Sequence, residues 1–147
     1  MPYASASFQA LTCVFLFHEL PRDARQNVLN ECFRLLEPGG ILGLADSIQI
    51  EDSPKFTPIM ENFHKIFHEP YYRDYIVDNI NLRLEKSGFS SITSESHFMT
   101  KVWKANKPVW LYWKKLCQKN HTYASNYVKK KYIHLARKNS ITCERAT

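Results

Sequence analysis

With 147 residues, 44% of them hydrophobic and 14% aromatic, the chain has the length of one domain and enough apolar material for a core, which excludes wholesale disorder. No run approaches the roughly 20 apolar residues a membrane helix needs, and the longest, residues 10–17, lacks the basic flank of a signal peptide. The net charge of +6 is divided: residues 1–103 hold 9 Lys and Arg against 13 Asp and Glu, net −4, and residues 104–147 hold 11 against one, net +10. The break near Lys107-Pro108 sets an acidic globular part, 1–107, against a basic, aromatic-containing extension, 108–147. The four cysteines, Cys13, Cys32, Cys117 and Cys143, lie far apart with no CxxC pairing. That pattern suits reduced thiols of a soluble intracellular protein better than a disulfide frame or a zinc site.

In chain order, residues 8–17 (FQALTCVFLF) form an uncharged apolar run that reads as a strand buried on both faces of a parallel sheet. His18-Glu19-Leu20-Pro21 stops it, because proline cannot continue a central ladder. From Asp23, apolar residues Val28, Leu29, Cys32, Phe33, Leu35 and Leu36 recur at three- and four-residue intervals, the stripe of an amphipathic helix with Arg25, Gln26, Asn30 and Glu37 off it. Pro38 ends that helix, and Gly39-Gly40 suit the left-handed geometry that satisfies its last carbonyls. ILGLA (41–45) is a second buried strand, completing a strand–helix–strand unit. Residues 56–67 have helical spacing, 68–72 (HEPYY) break it, and 75–87 read as one further amphipathic helix closed by Gly88. Residues 89–97 and 98–103 suggest an antiparallel hairpin at a sheet edge. The stretch from Pro108 has no clear period and no convincing core.

In open α/β sheets ligands gather at the carboxyl ends of the strands. Here those ends carry Phe17-His18-Glu19 and Asp46-Ser47. His64 and His68 stand at i, i+4, but HKIFH lacks the glutamate of HExxH, so no metal site is expected. The run PYASASFQALTCVFLFHEL, then a helix, then ECFRLLEPGGILGLAD, resembles the second half of a class I S-adenosylmethionine-dependent methyltransferase, nearest the methyltransferase type 11 group. Ser7-Phe8 match the family's Ser-Phe-Asp, with Gln9 where Asp is usual. FHEPYY at 67–72 and KSGF at 86–89 carry the resemblance to about Trp103.

The resemblance implies a Rossmann-like sheet of seven strands, of which this chain supplies strands four to seven. It implies methyl transfer from S-adenosylmethionine to a small-molecule acceptor. It sets Cys13, Val14 and Phe15 beside the cofactor and His18 and Glu19 at the substrate mouth, where a histidine suits proton transfer near neutrality. His68, Glu69, Tyr71 and Tyr72 fall in the segment that covers the active site, where aromatic faces suit a flat ring or a sulfonium. The family's glycine-rich cofactor turn has no counterpart among Gly39, Gly40, Gly43 and Gly88, so the expectation is a partial domain whose first strand exposes an edge suited to self-association. The alternative is a non-catalytic fragment or binding module, its basic and aromatic residues from Trp103 to Lys138 holding nucleic acid or an anionic surface.

Overall fold

The structure, a computed structural model, describes residues 2–109, so the expected extension lies almost wholly outside the described residues. The elements are β1 (Phe8–Val14), α1 (Arg22–Leu35), β2 (Leu36–Ser47), α2 (Thr57–Phe67), the single turn α3 (Tyr72–Tyr75), α4 (Ile80–Lys86), β3 (Ser90–His97) and β4 (Thr100–Asn106). The four strands form one mixed sheet in the order β1-β2-β4-β3. β1 runs parallel to β2, with Ala10 opposite Ile41 and Val14 opposite Ala45, and β4 runs antiparallel to both β2 and β3. The expected hairpin is present, turning at Phe98-Met99, but its second strand lies inside the sheet and β3 forms the edge. No helix among the described residues is long and apolar enough to cross a membrane.

Alternation along the strands decides where the core sits. Leu42, Leu44 and Asp46 of β2 lie in register with Ala105, Trp103 and Lys101 of β4, and all six are buried. Leu29 and Cys32 of α1, Met60 of α2, Tyr72 and Tyr75 of α3, and Ile80 and Leu84 of α4 join Leu42, Leu44 and Trp103 in one cluster. Each fully buried Leu, Ile or Met side chain contributes about 1.5–3 kcal/mol against leaving it in water. α1 also suits its dipole, with Asp23 in the first turn and Arg34 in the last.

Three expectations are corrected here. β1 stops at Val14, short of Phe17, because Phe15 takes φ +48°, a left-handed conformation that cannot continue a ladder. Nor is β1 buried on both faces: Ala10, Thr12 and Val14 are exposed, and the neighbouring Ile41 and Val102 are 38% and 40% exposed, since the helices described cover the opposite face. Second, Gly39-Gly40 do not cap α1. The chain turns extended at Leu36, and the last carbonyls are met elsewhere: Ala6 N–H donates to Arg34 O, Ser7 N–H to Leu35 O, and Lys107 Nζ to Phe33 O and Leu36 O at 2.7 and 2.8 Å. Gly39 instead uses φ +84° to let its N–H reach Lys107 O at 2.8 Å. Third, residues 75–87 are not one helix. Asn79 starts α4 afresh, its side chain accepting from Leu82 N–H at 2.9 Å, and Asp78 just before it is buried.

Candidate functional site at the carboxyl ends of the parallel strands

Parallel pairing sets the ends of β1 and β2 side by side, and from them come His18 and Asp46. The strand-breaking φ of Phe15 swings the chain inward, so that Phe17 is fully buried and His18 sits on a 3₁₀ turn, Phe17–Glu19. Asp46, at 0% exposure, gathers this turn: Phe17 N–H donates to Oδ2 at 2.7 Å, Ser47 N–H to Oδ1 at 2.7 Å, and His18 Nδ1 lies 2.6 Å from Oδ1. A carboxylate that accepts two backbone N–H groups takes the third bond from Nδ1–H, which leaves the Nε2 lone pair outward. The hydrogen bond to Asp46 holds the imidazolium above the ordinary histidine range, against the opposing pull of burial, and the charges of Glu19 and Glu69 add to it.

Aromatic rings close the lower side. His18 makes edge contacts with Tyr72 and Tyr75, centroids 5.9 and 6.3 Å away, and with Phe15 at 6.3 Å. Tyr72 shares a 2.7 Å hydrogen bond with Ser47 Oγ, and Tyr75 O–H donates to Ser47 O at 2.7 Å. Burial pushes both phenols up. Phe63 stacks on Tyr72 at 4.5 Å, so α2 is tied to the same wall.

Glu69 joins from the segment between α2 and α3. His18 Nε2, Glu19 and Glu69 each offer a ligand-type atom, and these atoms lie within 4.8 Å of one another. Partial burial, then the neighbouring Glu19 charge, raises the Glu69 carboxyl above its ordinary range. Not all of the expected site residues converge. Cys13 is half-buried and its thiol hydrogen-bonds Cys32 of α1, which pushes the Cys32 thiol up. Val14 and Phe15 stand 61% and 52% exposed at the strand end. His68 is an exposed, left-handed cap on α2, and Tyr71 is 41% exposed, its carbonyl accepting from Arg25. Tyr72 is buried, its ring meeting that of His18 edge-on at 5.9 Å.

Arg25 is the residue that the sequence pattern misplaced. Reckoned off the apolar stripe of α1, it is fully buried, donating to Phe17 O at 2.9 Å and to Asp74 and Asp78, each at 2.8 Å. It thus ties the His18 turn to the segment bearing Glu69 and Tyr72. Its spacing from Leu29 and Cys32, four and seven residues on, is the signal that was available.

Residues 1–44 match the sequence model described as "Methyltransferase domain". The matched segment is 44 of the chain's 147 residues, less than half of it. It holds β1, α1 and most of β2, and with them Cys13, Val14, Phe15, His18 and Glu19. No curated protein sequence matches the chain. Among solved structures, the chain is similar to an S-adenosylmethionine-dependent methyltransferase of Thermotoga maritima, with 16% identity, 73% of this chain and 59% of that one covered, and a TM-score of 0.55. Human N-acetylserotonin methyltransferase, in complex with S-adenosylmethionine, gives 12% identity, 68% and 29% coverage, and a TM-score of 0.53. A Bordetella parapertussis protein gives 19%, 71% and 40%, and 0.53. At these identities the likeness is one of fold, the α/β methyltransferase arrangement. The chain spans between 29% and 59% of the length of these three structures.

Proposed function

We propose that residues 2–107 are the strand-four-to-seven half of an S-adenosylmethionine-dependent methyltransferase that methylates a small-molecule acceptor, and that 108–147 are an extension outside that domain. The sheet order supports the first part: a parallel β1-β2 pair flanked by a hairpin whose inner strand, β4, is antiparallel to both neighbours. The observation that carries the functional reading is the 2.6 Å bond between His18 Nδ1 and Asp46 at the carboxyl ends of β1 and β2.

The residues described fit one wall of the cofactor site. Val14 and Phe15 leave an open apolar lip at the end of β1, suited to the nucleoside or the thioether chain, with Cys13 behind it. None of the four glycines forms a strand-to-helix turn, so the backbone cradle for the methionine moiety is not part of this wall. When bound, S-adenosylmethionine supplies the activated methyl group. The chain's own residues supply orientation and a proton acceptor: Asp46 fixes the imidazole, His18 Nε2 takes the proton of the attacking O–H or N–H, and Glu19 borders the mouth. Glu69, Tyr72, Tyr71 and His68 belong to the cover of the acceptor site. The open edge of β1 is a pairing surface for a second chain.

Calorimetric titration of the full chain with S-adenosylhomocysteine, with a thermal melt alongside, tests the reading. Saturable binding with a raised Tm is the expected result, and in the binding-competent chain His18→Ala abolishes transfer while leaving that binding in place. A cooperative melt that the compound does not shift, with no heat of binding, overturns the assignment of a cofactor site to this chain.

A further inference from the structure

We propose that His18, Glu19 and Glu69 form a binding site for a divalent transition-metal cation. The three residues come from the turn after β1 and from the segment before α3, about 50 positions apart in the chain, and the fold alone brings them together. Their donor set, one imidazole nitrogen and two carboxylates, suits borderline and hard divalent ions such as Mn2+, Fe2+ and Zn2+. The ligand atoms lie within 4.8 Å of one another, with His18 Nε2 3.8 Å from Glu19 Oε1.

Two observations beyond the cluster itself point to a cation. The first is the support behind the histidine. Metal-bound imidazoles usually donate their other ring N–H to a carboxylate, which fixes both the tautomer and the aim of the ring. Asp46, wholly buried and bonded to two backbone N–H groups, does this for Nδ1, and the rings of Tyr72 and Tyr75 meet the imidazole edge-on at 5.9 and 6.3 Å. The second is charge. Among the described residues, no Lys or Arg pairs with Glu19 or Glu69, although the nearby Asp74 and Asp78 are both matched by arginines. Glu19, 52% exposed, and the partly buried Glu69 thus set two carboxylates beside the imidazole with no Lys or Arg partner, and a divalent ion supplies the matching charge.

The site is open on one side: His18 is 12% exposed at its side chain and Glu19 is 52% exposed. Three protein ligands leave positions for water or for an oxygen or nitrogen of an acceptor. Ligation uses the Nε2 lone pair, so a loaded site takes His18 out of proton transfer and puts the metal's open positions in its place. The proposal does not rest on the methyltransferase reading, and titration with S-adenosylhomocysteine succeeds or fails independently of it.

The test is calorimetric titration of the full chain with MnCl2, with Mn2+ electron paramagnetic resonance as a second readout. One equivalent is expected to bind the unaltered chain. Glu69→Gln and Glu19→Gln, both at a solvent-facing mouth and each checked by its melt, are expected to weaken binding at least tenfold, as is His18→Ala. His97→Ala, on the exposed end of β3, is expected to leave it unchanged. Absence of saturable binding, equal affinity in a folded Glu69→Gln chain, or a loss on His97→Ala as large as that on Glu69→Gln would each overturn the site.

Discussion

Asp74 shows how the site's frame responds to pH. Partial burial pushes its carboxyl up, but hydrogen bonds and charge from Arg22 and Arg25 outweigh this and hold it below the ordinary aspartate value. A group depressed in the folded state stabilises the fold above its unfolded pKa, and that contribution is lost as pH falls through the folded value. Asp74→Asn is therefore expected to be less stable than the parent at neutral pH, and the gap is expected to close below about pH 3.9. The side chain is 40% exposed, so screening limits the effect to about 1 kcal/mol or less per pair. Urea midpoints of both chains from pH 7 to pH 2.5 check this, and a gap that persists at the acid end contradicts it. The residues at this scale were unequally legible. His18 and Glu19 directly follow an apolar run, so their place at a strand end could be read from the sequence. The Asp46–His18 bond spans 28 positions, and spacing carries no sign of it. Arg25 looked solvated because a guanidinium is normally so; what buries it is the pair of aspartates that tertiary structure brings from 49 and 53 positions away.

Elements were legible where hydrophobic period matched burial, and lost where a backbone contact decided the outcome. α1, β2 and the terminal hairpin follow their patterns because one face of each packs into the same core. Residues 75–87 satisfy a helical period in their apolar positions, yet Asn79 caps a new start and Asp78 turns inward to Arg25 and Arg83, so local polar bonds override the period. The Pro-Gly-Gly stretch suggests a cap in sequence, because glycine suits left-handed caps, whereas in the fold Gly40 serves close approach. A Cβ on Gly40 would lie 2.8 Å from Glu37 O and 3.0 Å from Gln9 O, both backbone atoms that cannot step aside without moving β1 or the start of β2. Gly40→Ala is therefore expected to cost about 1–3 kcal/mol, the range for overpacking a filled space. The urea midpoint should fall with the m-value unchanged. Gly43, where an added Cβ meets Thr12 Cγ2 at 3.6 Å in ordinary contact, is the matched control: Gly43→Ala is expected to lie within about 0.5 kcal/mol of the parent. A large loss there, or none at Gly40, would show that close strand approach is not what these glycines serve.

At the scale of the whole molecule, β1 pairs on one side only among the described residues, and its uncovered face continues across Ile41 and Val102. Parallel and mixed sheets of this kind normally bury both faces, and an unpaired edge beside an apolar face is a template for another strand. Uncharged from Phe8 to Val14, β1 carries none of the lysines or prolines that blunt such edges. The chain is expected to self-associate with a concentration dependence visible by sedimentation velocity. Placing charge on the exposed positions Ala10 and Thr12 (Ala10→Lys with Thr12→Lys) is expected to return it to monomer without lowering the melt, because neither side chain enters the core. If the doubly substituted chain sediments as the parent does, the β1 edge is not the associating surface. If both are monomeric at every concentration, the open edge is satisfied within the chain.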